Sequence, residues 1–166
     1  NPFALVYADD LVDSHDPCLL QLIRMYEERN APVLALERVP KKDVSRYGVI
    51  QGKRIGARTY TIEKVVEKPD IKNAPSNLVS IGRFILTPEV VRELHNVHPS
   101  DNREICLTEA FNRYIKNGGI IYGYEFEGKR FDCGDKLGFM KAAVHYGMKH
   151  PEIGKGFSRH LKSLHA

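Results

Sequence analysis

Apolar positions along the chain come in short continuous runs separated by helical faces. Phe3 to Ala8 is an uninterrupted apolar run that stops at Asp9-Asp10, which predicts a strand covered on both faces. The stretch PCLLQLIRMYEERN then puts Leu19, Leu22, Ile23 and Tyr26 on one helical face, with Asn30 as its stop. APVLALERV is a second apolar strand. Strand, helix and strand in that order predict a parallel crossover, and with it an α/β protein.

The middle of the chain changes period. YGVIQGKRIGARTYTIEKVVEKP alternates β-branched and polar residues around Gly52-Lys53, which predicts a hairpin turning there. SNLVSIGRFILTP is a further strand, and Thr87-Pro88 closes it and starts the helix EVVRELHNV. EICLTEAFNRYIKNGG is a helix with Leu107, Phe111, Tyr114 and Ile115 inward and glycines at its end. IIYGYEFEG and KRFDCG are strands, followed by a helix from about Asp135 to Lys149 and a basic terminal helix. At 166 residues, one domain spanning 1–166 is expected.

Composition narrows the function. The 25 basic residues are dispersed among 21 acidic ones for a net charge of +4, so no nucleic-acid-binding stripe is present and anionic small molecules are suitable ligands. No apolar run approaches the roughly 20 residues of a membrane span, and no signal peptide is visible, so a cytoplasmic location is expected. Cys18, Cys106 and Cys133 are far apart and odd in number, which argues against a disulfide framework or a zinc site. The chain begins at Asn1 and runs directly into an apolar strand, as a piece of something longer would.

In α/β sheets, ligands bind beyond the carboxyl ends of strands. Two acidic groups fall at such places: Asp9-Asp10 after the first strand and Asp132 after the last. Between them Glu67 and Lys68 leave a strand before Pro69. Carboxylates from two distant segments can share Mg²⁺, which takes carboxylate and phosphate oxygens and keeps water for the rest of its shell. A lysine can neutralise a phosphate, and a glutamate can accept hydrogen bonds from sugar hydroxyls. Spacing leaves a plainer alternative open, with the aspartates as caps or turn residues and Glu67-Lys68 as a solvated strand end.

The segments VVEKP, APSNLVSIGRFILTPEV, REICLTEAF and YEFEGKRFDCGDKLGFMKAAVHYGMKHPEIGKGF resemble, in order and spacing, the bacterial UTP–glucose-1-phosphate uridylyltransferases. The resemblance covers essentially the whole chain. It implies a nucleotidyltransferase-type mixed sheet flanked by helices, truncated at its N-terminus. It also implies the family reaction, in which glucose 1-phosphate and UTP give UDP-glucose and pyrophosphate. By that resemblance Asp9 and Asp132 are Mg²⁺ ligands, and Asp9, Lys68 and Asp132 have catalytic roles. Glu67 and Lys68 would hold the sugar and the phosphate, Gly48 would lie under the hexose, and Asn77 and Gly82 would be sugar-side positions. Gly134 would let the backbone pass close to the sugar nucleotide, Asp135 would cap the following helix, and Cys133 would be a small buried side chain. Thymidylyl- and adenylyl-transferring relatives share the EKP signature, but FDCGDKLG favours the uridylyl branch.

The sequence also departs from that family. No G-x-G-T-R loop occurs in it, YADD replaces a proline-containing turn, and Cys106 and Glu109 stand where the family usually has Gln and Asp. Without the groups that grip a triphosphate, phosphoryl transfer is expected to slow by on the order of 10³-fold or more. The chain by itself is therefore expected to be weak or inactive. The alternative is a catalytically inactive relative acting as a sugar-nucleotide-binding or assembly module. The strand at residues 4–8 would leave an apolar edge, so a homo-oligomer formed through it, or pairing with an upstream segment, is expected.

Overall fold

The computed structural model describes residues 1–97 and 106–164. Eight strands and five helices are described: β1 Phe3–Val6, β2 Asp10–Asp13, α1 Cys18–Arg29, β3 Val33–Arg38, β4 Gly48–Arg54, β5 Thr59–Glu67, β6 Leu78–Leu86, α2 Pro88–Leu94, α3 Leu107–Lys116, β7 Tyr122–Glu125, β8 Lys129–Asp132, α4 Lys136–Lys149 and α5 Gly154–Ser163. A 3₁₀ turn over Lys41–Arg46, which no sequence signal announced, precedes β4.

The strands form a six-stranded sheet in the order β1-β6-β3-β7-β5-β4 and a separate two-stranded ribbon of β2 and β8. The larger sheet is mixed: β3 and β7 are parallel, and the other neighbours are antiparallel. Gly48 and Val49 of β4 also pair with Ser80 and Val79 of β6, so the sheet curls back from its last strand onto its second.

Strands β3 and β6 are buried on both faces because their alternate residues feed two cores. Val33, Ala35, Ile81 and Ile85 pack with Cys18, Leu22 and Met25 of α1. Leu34, Leu36, Phe84 and Leu86 pack on the other face with Val90 of α2 and Phe111 of α3. A near-continuous apolar run is what such two-sided burial requires. The inward face of α3 is the one expected, with Leu107, Tyr114 and Ile115 packed beside Phe111. Asp135 caps α4 as expected, accepting the Gly138 amide at 2.7 Å.

Several expectations are corrected. β1 is not covered on both faces: Phe3 and Val6 are about half exposed, because β1 is an edge strand that pairs with β6 alone among the described residues. β1 and β3 run the same way but are not adjacent, since antiparallel β6 lies between them. The hairpin turns at residues 55–58, and Gly52 lies inside β4 at a break in register. A Cβ there would sit 2.4 Å from the Thr61 carbonyl, so this glycine serves a close strand approach. On α1 the inward residues include Gln21 and Met25, while Ile23 is exposed. Glu104 and Ile105, read as the start of α3, lie outside the described residues.

Candidate active site

The β2–β8 ribbon builds the acidic corner. Its register sets Asp10 opposite Asp132, and the Cys133 amide donates to the Asp9 carbonyl at 2.7 Å. Asp9 thereby comes to the same point as Asp132 and Gly134. A Cβ added to Gly134 would lie 3.1 Å from both Asp132 Oδ1 and Asp9 Oδ2, so the two carboxylates converge over bare backbone. Cys133 is partly exposed beside them and not the buried side chain expected.

Asp10 differs from its neighbour. Its side chain accepts the Gly82 amide at 2.7 Å and pairs with Arg130 at 2.5 Å, with the Asp10 and Arg130 side chains only 8% and 6% exposed. Arg130 also reaches Glu37 at 3.3 Å. Burial opposes the Arg130 charge, but Asp10 beside it and hydrogen bonds to Asp10 and Tyr47 raise its pKa further still. Asp10 is therefore committed to holding β6 and β8 together, and Asp9 is left to face the cleft.

Asp132 is held from its other side. Its Oδ2 accepts from Tyr47 Oη at 2.8 Å and from Arg46 at 2.9 Å, and Arg46 reaches Asp135 at 2.9 Å as well. The Tyr47 ring is in contact with two guanidinium groups, Arg130 at 4.9 Å and Arg46 at 5.5 Å from its centroid. Burial pushes the Tyr47 phenol above its ordinary value, so it remains a proton donor to the carboxylate.

Glu67 is the last residue of β5, and alternation would send Lys68 to the opposite face. Lys68 instead takes a positive φ of 41° and donates its amide to the Tyr47 carbonyl at 3.0 Å. That conformation is costly for a residue that precedes proline. It turns both side chains to one side, with Lys68 Nζ 4.0 Å from Glu67 Oε1 and the lysine two-thirds exposed. Gly48, paired with Glu67 in the β4–β5 register, forms the floor beside it.

These groups line one cleft of about 510 Å³, a size suited to a small polar ligand. The fold brings together Asp9, Gly48, Glu67, Lys68, Gly82, Asp132 and Gly134 from distant parts of the chain. It does not bring Asn77 there. Asn77 lies before the start of β6, whereas Gly82 is at its middle, and there it accepts from Arg38 at 3.0 Å and donates to the Val39 carbonyl. Sequence reasoning missed Arg46, Tyr47, Arg130 and Thr108, all of which line the cleft. The basic and aromatic residues just before Gly48, and Arg130 just before Phe131-Asp132, were signals available for the first three.

The donor set suits a hard divalent cation. Two carboxylate oxygens converge on a cradle that a single methyl group would fill, and among the described residues no cluster of three or more histidine, cysteine or acidic side chains forms a closed metal cage. An open site with two carboxylates is what Mg²⁺ accepts when phosphate and water complete its shell.

A mixed sheet with acidic groups converging at strand ends around a polar cleft is the equipment of a phosphoryl-type transferase. The nucleotidyl transferase family model matches residues 1–149, and the chain belongs to that family. It is 39% identical over 163 residues to the UTP–glucose-1-phosphate uridylyltransferase of Staphylococcus epidermidis, an alignment that covers 98% of this chain and 56% of that protein. A UDP-glucose pyrophosphorylase solved in complex with UDP-glucose superposes with a TM-score of 0.85 at 41% identity, covering 90% of this chain and 57% of the other. A UTP-bound UGPase from Acinetobacter baumannii gives a TM-score of 0.87 at 32% identity, covering 99% and 57%. The chain thus spans about half the length of the relatives it matches.

Proposed function

We propose that this chain carries the sugar-phosphate half of a Mg²⁺-dependent uridylyl-transfer site. In the reaction, a phosphate oxygen of glucose 1-phosphate attacks the α-phosphorus of UTP. The bond from that phosphorus to the bridging oxygen breaks, and UDP-glucose and pyrophosphate result. The observation that carries this reading is the convergence of Asp9 and Asp132 over Gly134, with Glu67 and Lys68 lining the same cleft. The relatives' names, and the UDP-glucose and UTP bound to the solved neighbours, support the choice of ligands.

In this reading Lys68 sets its ammonium against the attacking phosphate and lowers the repulsion between two anions. Glu67 accepts hydrogen bonds from sugar hydroxyls over the Gly48 floor. Asp9 and Asp132 would hold Mg²⁺, which when bound neutralises phosphate charge and aligns the reacting oxygens. Arg46 and Tyr47 keep Asp132 in place, and the Asp10–Arg130 pair keeps the ribbon on the sheet.

Among these 166 residues no G-x-G-T-R loop occurs to grip a triphosphate, so the chain tested alone is expected to bind UDP-glucose and to turn over UTP slowly or not at all. A sugar-nucleotide-binding or assembly module is the alternative. A cytoplasmic location belongs to the same reading, because UTP is a cytoplasmic metabolite. Among the described residues no helix is long and apolar enough to cross a membrane. Homo-oligomer formation through β1 also belongs to it. The Tyr7 amide donates to the Gly82 carbonyl, and the register then turns the Leu5 amide toward β6 and those of Ala4 and Val6 outward. Those two outward amides would be the ones to slow their exchange on association.

The test is a calorimetric titration of UDP-glucose with and without Mg²⁺. Mg²⁺-dependent binding that Asp132→Ala abolishes is expected. A folded sample that binds UDP-glucose in neither condition would overturn the proposal in favour of the assembly role.

A further inference from the structure

Glu67 is not free to choose how it presents its carboxylate. Thr108 Oγ1, in the first turn of α3, donates to Glu67 Oε2 at 2.7 Å. One turn further along the same helix, the Asn112 amide clamps the backbone of Val65. It donates Nδ2 to the Val65 carbonyl and accepts the Val65 amide at Oδ1, both at 2.8 Å. The two contacts are in step. Four residues of helix advance about 6 Å and two residues of strand about 6.6 Å, so Thr108 and Asn112 fall opposite Glu67 and Val65.

Gly48 lies on the other side of the same oxygen. An added Cβ on Gly48 would come within 3.4 Å of Glu67 Oε2 and 3.7 Å of Thr108 Oγ1. Oε2 thus lies between β4 and α3 in a side chain that is 41% exposed, and Oε1 is the oxygen on the Lys68 side. We infer that Thr108 is a positioning residue for sugar recognition: its hydroxyl occupies Glu67 Oε2 and leaves Oε1 to accept from the sugar, next to the Lys68 ammonium. This inference rests on the uridylyl-transfer reading above. In that reading Asn112 sets the distance between α3 and β5, and Thr108 sets the rotamer of the glutamate.

The separation of those tasks makes the idea testable. Thr108→Val removes the hydroxyl at nearly constant volume and leaves the Asn112 clamp to hold α3. Its melting temperature is expected to match the wild type. Its affinity for UDP-glucose is expected to fall roughly tenfold, the size of effect a hydrogen bond to a charged group carries, while its affinity for UDP, which lacks the hexose, stays the same. Thr108→Ser restores the hydroxyl and is expected to recover most of the loss. If valine at this position lowers the melting temperature, Thr108→Ala is titrated in its place with the same expectation. Equal UDP-glucose affinity in the wild type and the hydroxyl-free variants would overturn the inference and leave the uridylyl reading standing. A parallel loss of UDP affinity would also overturn it, as the mark of a general structural role. A wild type that binds no UDP-glucose would overturn that reading and this inference together.

Discussion

Tyr47 donates its phenolic hydrogen to Asp132 Oδ2 at 2.8 Å across 85 positions of sequence. The carbonyl of the same tyrosine accepts the Lys68 amide at 3.0 Å. One residue therefore fixes both the acidic corner and the strained lysine that shares the cleft with it. Tyr47→Phe is expected to weaken Mg²⁺-dependent UDP-glucose binding by about 1 kcal/mol, or roughly fivefold, and to leave thermal stability nearly unchanged. Titrations with and without Mg²⁺ check this. An unchanged Mg²⁺ dependence would show that Arg46 holds Asp132 without the phenol.

Two glycines of the cleft should respond oppositely to alanine. At Gly134 the new methyl would meet carboxylate oxygens at 3.1 Å in the space between Asp9 and Asp132. Gly134→Ala is expected to fold normally and to lose binding of Mn²⁺ as followed by electron paramagnetic resonance. At Gly82 the methyl would lie 2.5 Å from Tyr7 Cβ and 2.8 Å from Asp10 Oδ2. Gly82→Ala is expected to destabilise the fold by about 1–3 kcal/mol in urea titrations, because β1 and the ribbon must shift.

The Asp10–Arg130 pair is buried, and removing one partner strands the other charge. Arg130→Met is expected to destabilise the protein by about 3–5 kcal/mol. Adding Asp10→Asn should recover part of that, since Asp10 is then no longer a lone buried charge, while the Glu37 contact with Arg130 stays lost. A double-mutant cycle in urea measures the coupling.

Acid stability should depend on Asp13. Hydrogen bonds from Lys149 and His145 on α4 hold its carboxyl below the ordinary value of 3.8. A folded-state pKa depressed in this way contributes stability at pH values above the unfolded one and loses it as pH falls through the folded one. Asp13→Asn is therefore expected to be less stable than the wild type at neutral pH, with the gap closing below about pH 4. Melting curves from pH 7 to pH 3 test this, and a gap that stays constant across that range would assign the effect to packing.

Much of this protein follows from local pattern. The strands β3 and β6 are buried on both faces because Val33 to Leu36 and most of Leu78 to Leu86 are apolar, and α3 turns Phe111 inward because its apolar residues recur at helical spacing. The motifs around Glu67-Lys68 and Asp132 likewise marked two walls of the cleft, since an acidic or basic residue at a strand end is visible without a fold. Tertiary structure decided the remainder. The same apolar pattern that is buried in β3 is half exposed in β1, because exposure depends on which strand lies alongside. Adjacent aspartates with identical chemistry were given different tasks by the β2–β8 register, which buries Asp10 against Arg130 and turns Asp9 to the cleft. Asn77 shares a motif with Gly82 but lies before β6 while Gly82 is at its middle, and Thr108 reaches Glu67 only because a helix of four residues and a strand of two have nearly the same length. Local sequence carries periodicity and residue chemistry. Which side chain meets which is set by register and packing between segments far apart in the chain.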